Sequence, residues 1–151
     1  MPSSQNSKTT GHKLPVSVLV VIYTAEDEVL MLRRRQPMDF WQSVTGSLQE
    51  TESPREAACR EVFEETGLDA SDRIENCDRQ NRFPIVEPWK KRYAPEETHN
   101  TEHVFRLKLE RREEIKLNPE EHAESTWLYR EKAAELASSY TNSAAILELT
   151  P

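Results

Sequence analysis

A chain of 151 residues is long enough for one domain with a real core and too short for two. Its net charge of −7 argues against nucleic acid as the main partner, because phosphate backbones are held by basic faces. No apolar run approaches the roughly 20 residues that span a bilayer, and two cysteines, Cys59 and Cys77, make no disulfide framework, so no membrane partner and a cytoplasmic setting are expected.

The N-terminal stretch "MPSSQNSKTTGHK" is polar throughout, without the apolar centre of a signal peptide, and is expected to be a flexible tail over residues 1–13. A single domain is then expected over 14–151. "PVSVLVVIYT" (Pro15–Thr24) is a long β-branched run, the pattern of a strand buried on both faces. After a polar turn, "VLMLRRR" (Val29–Arg35) reads as a second strand, and the short connection predicts a hairpin. "QPMDFWQSVTG" follows as a loop with a short strand. The next helix is fully punctuated: Ser53 as N-cap, Pro54 at the first helical position, Glu56 completing a capping box and Gly67 as a left-handed C-terminal cap. Further on, "RIENCDRQNRF" reads as a weakly patterned strand, and "PIVEPWKKRYAPEETHN" as a long loop rich in proline, basic and aromatic residues. "TEHVFRLKLE" (Thr101–Glu110) and "STWLYR" are strands, and "EKAAELASS" and "NSAAILEL" are helical pieces. Strands and helices mix without regular βαβ alternation, which predicts an α/β sandwich around a mixed sheet.

The helix over Pro54–Thr66 carries Glu61, Glu64 and Glu65 at i, i+3 and i+4, on one face of its last turn. Like charges at that spacing, set against the negative end of the helix dipole, each cost a few tenths of a kcal/mol. A solvated acidic face would be the ordinary explanation. A divalent cation would reverse the sign of these terms, and Mg²⁺ is a hard ion that favours carboxylate and phosphate oxygens. Arg60 reaches Glu56 or Glu64 at helical spacing, or Glu52 across the preceding loop, and would orient carboxylates rather than bind metal.

The wider spacing favours the metal. The stretch fits G-x5-E-x7-R-E-U-x-E-E-x-G-U, with U apolar, at Gly46, Glu52, Arg60, Glu61, Val62, Glu64, Glu65, Gly67 and Leu68. That pattern resembles the signature of the Nudix hydrolases. The resemblance implies an α/β/α sandwich with a mixed β-sheet and hydrolysis of a diphosphate linkage. It also implies Mg²⁺, or Mn²⁺, held by Glu61, Glu64 and Glu65, which would be the catalytic carboxylates. A backbone carbonyl around Thr45 or Gly46 often joins the metal, and a second-half carboxylate often completes the site. Glu121 is the preferred candidate, followed by Glu120 and Glu124. In the family Glu52 and Arg60 pair structurally, and Gly46 and Gly67 shape the box. Thr45 and Thr51 stand where the commonest loop pattern has glycine. The flanking segments "PVSVLVVIY", "VLMLRRR", "DFWQSVTGS", "KRYAP" and "HAESTWL" resemble the branch of the family that releases pyrophosphate from a pterin triphosphate in folate synthesis. A dATP-like nucleoside triphosphate is the alternative substrate, and a non-catalytic Nudix-like binding module is a third reading that the complete set of glutamates disfavours. Monomer and small homo-oligomer both remain open.

Outside the box, positive charge for a triphosphate is available from Lys13, Arg34 and the Lys90–Lys91–Arg92 cluster, with Lys90 and Lys91 better explained as solvated surface. Lys13 matches a phosphate-contact position of the resembling enzyme. Thr45 offers a hydroxyl or its carbonyl. Phe83 and Ile85 open the long loop as candidates to pack against a flat ring, ahead of Phe40 and Trp89, while Trp41 suits the core. Ser139 is placed either to touch ligand or to end a helix. His99, His103 and His122 lack zinc-ligand spacing, and Cys59 reads as a small apolar residue.

Overall fold

The computed structural model describes residues 11–149, so residues 1–10 of the tail expected over 1–13 lie outside the described residues. Lys13 is already fixed: it forms a parallel bridge with Tyr93, and its N–H donates to the Arg92 carbonyl at 2.8 Å. In chain order the elements are β1 (Val16–Thr24), β2 (Glu28–Arg34), β3 (Trp41–Gln42), β4 (Val44–Ser47), α1 (Pro54–Thr66) and β5 (Ile74–Pro84). A short 3₁₀ turn (Lys90–Arg92), β6 (His99–Leu109), β7 (His122–Tyr129), α2 (Arg130–Leu136) and α3 (Tyr140–Leu147) follow.

The seven strands form one mixed sheet. β1 runs parallel to β6 along its whole length, from Val16 opposite Thr101 to Thr24 opposite Leu109. β5 closes that side, antiparallel to β6. On the other side β1 and β2 form the expected antiparallel hairpin, but a short one, paired only at Tyr23 and Val29. They then splay, and the segment from Trp41 to Ser47 wedges between them. β3 pairs with β2, and β4 pairs with β1 from Val44 opposite Val20 to Ser47 opposite Ser17. β2 spends its other edge on β7. The kink at Ser43 is held by α3, because the Asn142 side chain accepts from the Ser43 N–H at 2.8 Å and donates to its hydroxyl at 2.9 Å. A backbone amide at a strand break is thereby satisfied, as burial requires.

The alternation of β1 divides its apolar side chains between two cores. Val18, Val20 and Ile22 pack with Ala57, Ala58 and Val62 of α1, while Leu19, Val21 and Tyr23 pack with Ala133, Ala145 and Ile146 of α2 and α3. The result is the expected α/β/α sandwich. Trp41 packs at the edge of the second core, as its sequence context suggested. The weak pattern of β5 has a local cause. Its register against β6 shifts between Asn76 and Arg79, where Asp78 takes a left-handed φ of 54° and donates its N–H to the Asn76 side chain. No helix among the described residues is long and apolar enough to cross a membrane, and both cysteines are free.

Candidate active site

α1 is capped as its sequence predicts. Ser53 accepts from the Glu56 N–H at 3.1 Å, Glu56 accepts from the Ser53 N–H at 2.9 Å, and Gly67 closes the helix at φ 80°. Arg60 is the organising cation. Its fork donates to both oxygens of Glu52, at 2.8 and 2.9 Å, and to the Ser47 carbonyl at 3.0 Å. It also reaches Glu61 at 3.0 Å and Glu64 at 3.3 Å, and not Glu56, whose carboxylate is occupied by the cap. The bidentate pair ties the loop after β4 to the middle of α1.

That tie brings Gly46 against Glu61. A Cβ on Gly46 would overlap the Glu61 carboxylate, so only glycine leaves room for it. Glu65, one turn further on, is 1% exposed. Burial pushes its carboxyl well above the ordinary carboxylate range, and a hydrogen bond and like charge from Glu61 push the same way. Two carboxylates in contact share a proton unless a cation replaces it. One Glu65 oxygen, Oε1, has no hydrogen-bond partner. Among the described residues no three acidic, histidine or cysteine side chains stand as a closed metal cluster. Instead, Glu61 and Glu65 touch, and Glu64, half exposed, feels the charge of Glu61 and Glu121 after the larger effect of its own burial. Glu121 is exposed at the start of β7, and its charge acts on Glu65, Arg34 and Lys13 as well. An orphaned buried carboxylate oxygen, a neighbouring carboxylate and a glycine cradle beside them suit a hard divalent cation.

Behind Glu65 sits His122, 1% exposed, with Nε2 at 3.7 Å from Glu65 Oε1 and at 3.3 Å from the Gln42 amide nitrogen. Burial, followed by the charge of Arg34, lowers its pKa to about 4, so the ring is neutral at pH 7. A neutral imidazole does not neutralise Glu65, which leaves that charge for a metal.

A cavity of about 1300 Å³ opens beside these carboxylates, with Gly46, Arg60 and Glu61 in its wall. Lys13, Arg34 and Arg92 line it together. Lys13 is exposed only in the sense that it faces the cavity: protein crowds it, and burial followed by the charges of Arg92 and Arg34 lowers its pKa. The two guanidinium groups lie over the ring of Trp89, at 5.0 Å for Arg34 and 5.3 Å for Arg92, and Phe40 meets the same ring edge-on at 5.4 Å. Trp89 therefore spaces two cations that would otherwise repel.

The remaining predicted residues fall as follows. Phe83, Ile85, Thr45, Ser139 and Glu120 all line the cavity. The Thr45 hydroxyl is already donated to the Val18 carbonyl at 2.8 Å. Ser139 is the N-cap of α3, and its hydroxyl lies 3.0 Å from that of Thr141. Glu124 points away and pairs with Arg33 at 2.9 Å. Lys91 reaches the cavity, and Lys90 is exposed. His99 bonds to Thr98 at 2.9 Å, while burial raises the Cys59 thiol above its ordinary value. Sequence reasoning missed Gln42, Asn100, Glu102, Thr141 and Asn142. Each is buried and polar within a strand or helix, a combination that only the tertiary packing makes visible.

Comparison with known proteins agrees with this geometry. A family model described as the NUDIX domain matches residues 13–149. The chain belongs to the Nudix family. This Nudix hydrolase is 44% identical over 143 residues to dihydroneopterin triphosphate diphosphatase of Escherichia coli K12, covering 92% of this chain and 94% of that protein. It is 40% identical over 134 residues to the enzyme of the same name from Haemophilus influenzae, covering 86% and 84%. The solved structure of the E. coli dihydroneopterin triphosphate pyrophosphohydrolase superposes with a TM-score of 0.86 at 43% identity, covering 91% of this chain and 96% of that one. Nudix hydrolases generally use a divalent metal, in keeping with the Glu61–Glu65 pair.

Proposed function

We propose that this Nudix hydrolase cleaves dihydroneopterin triphosphate to dihydroneopterin monophosphate and pyrophosphate, with Mg²⁺ as its metal, in folate biosynthesis. The observation that carries the reading is the 44% identity, over 92% of the chain, to an enzyme named for that substrate. The cavity supports it, since it combines an acidic wall with five cations, Lys13, Arg34, Arg60, Lys91 and Arg92, a charge pattern matched to a metal–polyphosphate.

In this reading Glu61, Glu65 and Glu121 hold the metal, with Glu64 beside them. When bound, the metal neutralises phosphate charge and acidifies a water. The chain's own residues do the rest. Lys13 and Arg34 hold the phosphate oxygens that the metal leaves uncovered. Arg34 is well suited because Trp89 fixes its plane and its Nε donates to the Gln36 carbonyl at 2.8 Å. Glu64, half exposed at the rim and pushed upward first by burial and then by Glu61, is suited to accept a proton from the attacking water. Phe83 and Ile85 provide the apolar wall for the ring, and Ser139 and the Thr45 carbonyl complete the lining. Residues 14–151 act as one domain, and the chain works in the cytoplasm on a small molecule, as a monomer or small homo-oligomer.

The test is a panel of triphosphates with Mg²⁺, comparing kcat/KM for dihydroneopterin triphosphate with the purine nucleoside triphosphates. A preference for the pterin of at least about tenfold is expected, equivalent to about 1.4 kcal/mol in transition-state binding. A clear purine preference would replace the reading with a nucleotide diphosphatase.

A further inference from the structure

One stretch of the cavity wall buries a carboxyl group without a counter-charge, and burial pushes its pKa upward. Asn100 and Glu102 stand two apart on β6 and so point to one face of the sheet. Ser17 lies opposite Glu102 on β1 and Asn81 opposite it on β5. Asn100 and Glu102 line the cavity yet are only 4% and 5% exposed. Asn100 donates to the Ser17 hydroxyl at 2.7 Å, and its own carbonyl oxygen has no partner. Glu102 accepts from the Asn81 amide at 3.1 Å and bonds to Thr141 at the start of α3. Among the described residues no Lys or Arg pairs with it, and no cation is among the groups acting on its pKa.

A carboxylate costs several kcal/mol to bury without a cation. If its task were only to latch α3 to the sheet through Thr141, a glutamine would form the same bonds at far lower cost. A carboxyl group has about four acceptor positions, and Asn81 and Thr141 satisfy two. The orphaned Asn100 oxygen is a further acceptor in the same wall. Buried acceptors without donors are expensive to leave unmade, and the missing partner is a group that brings N–H donors into the cavity. Phe83, opposite Asn100 on β5, and Leu19 supply apolar surface beside them, so the donor is expected on a flat ring.

We propose that Glu102, supported by Asn100, is the heterocycle-recognition site of this enzyme and binds the exocyclic amino group of an amino-substituted ring whose triphosphate lies toward Glu61 and Glu65. The proposal rests on the reading of the cavity as a ring-triphosphate site and defines the ring it takes: one with an exocyclic amine, as in pterins and adenine. A ring with oxo in that place sets acceptor against acceptor and is rejected.

The test uses the unaltered full chain. Binding of dATP and of dITP, whose ring has oxo where dATP has the amine, is measured by calorimetry without metal, so that neither is turned over. Sharing one triphosphate, the pair isolates the ring. Tighter binding of dATP, by roughly 10- to 100-fold, is expected, and Glu102→Leu brings the ratio close to one. A wild-type ratio below about threefold overturns the proposal, including the case in which neither nucleotide binds. So does a Glu102→Leu variant that folds and keeps the ratio. A chain that discriminates dATP from dITP yet turns over no pterin triphosphate would leave the recognition site standing and remove the pterin assignment alone. A pterin diphosphatase that binds dATP and dITP alike would do the reverse.

Discussion

Gly46 and Glu61 share a space that admits only one side chain: a methyl group on Gly46 would occupy the position of the Glu61 carboxylate. β4 presents Gly46 on the face of the sheet that α1 covers, and the Arg60–Glu52 pair holds loop and helix at that separation. Gly46→Ala is therefore expected to push the carboxylate off its position. Displacements of about 1 Å at a reacting centre cost on the order of 100-fold in rate. The expected outcome is such a loss in kcat with far-ultraviolet circular dichroism unchanged.

Arg60→Lys tests the tie itself. Lysine keeps the charge but loses the fork that grips both Glu52 oxygens while reaching the Ser47 carbonyl. A loss of about 1–3 kcal/mol in urea unfolding is expected. An unaltered midpoint would mean that the pair is decorative.

Thr51 offers a gain. It holds a left-handed φ of 67° in the loop before Glu52, where the commonest Nudix pattern has glycine. For a β-branched residue that conformation is strained by about 1–3 kcal/mol, and glycine adopts it without strain at some entropic cost. Thr51→Gly should raise stability by about 1 kcal/mol, read as a higher urea midpoint at constant slope.

His122 sets an acid limit. Its pKa falls from 6.5 to about 4 in the folded chain, so folding favours the neutral ring. The contribution is present above the unfolded value and lost as pH falls through the folded one. A shift of that size corresponds to about 3 kcal/mol. Glu65, raised in the metal-free protein, acts in the opposite sense: its contribution is complete at low pH and is lost as pH rises through its folded pKa. Comparing wild type with His122→Gln separates the two. Between pH 7 and pH 4.5 the wild type should lose about 2–3 kcal/mol more than the variant.

The parts of this protein that were legible in the sequence are those written in local spacing. The caps of α1, its glutamates and the β-branched run of β1 each declare themselves within a few residues. The splay of β1 from β2 does not, since it depends on a segment near Ser43 inserting between them and being held by Asn142, which lies far along the chain. Arg34, Trp89 and Arg92 become one stack only through the long loop that brings Trp89 against Arg34, far away in sequence. Glu102 reads as an ordinary polar position of an alternating strand, and Asn100 as the last residue of the loop before it. Their meaning comes from β1 and β5 pairing on either side and from α3 closing over them.

The most direct measurement follows pyrophosphate and orthophosphate release from dihydroneopterin triphosphate with Mg²⁺, using the wild type and Glu65→Gln side by side. The expected result is stoichiometric pyrophosphate from the wild type, no release without the metal, and a loss of about 1000-fold or more in the variant at unchanged fold. Orthophosphate as the sole product, or a Glu65→Gln variant that keeps wild-type turnover, would contradict it.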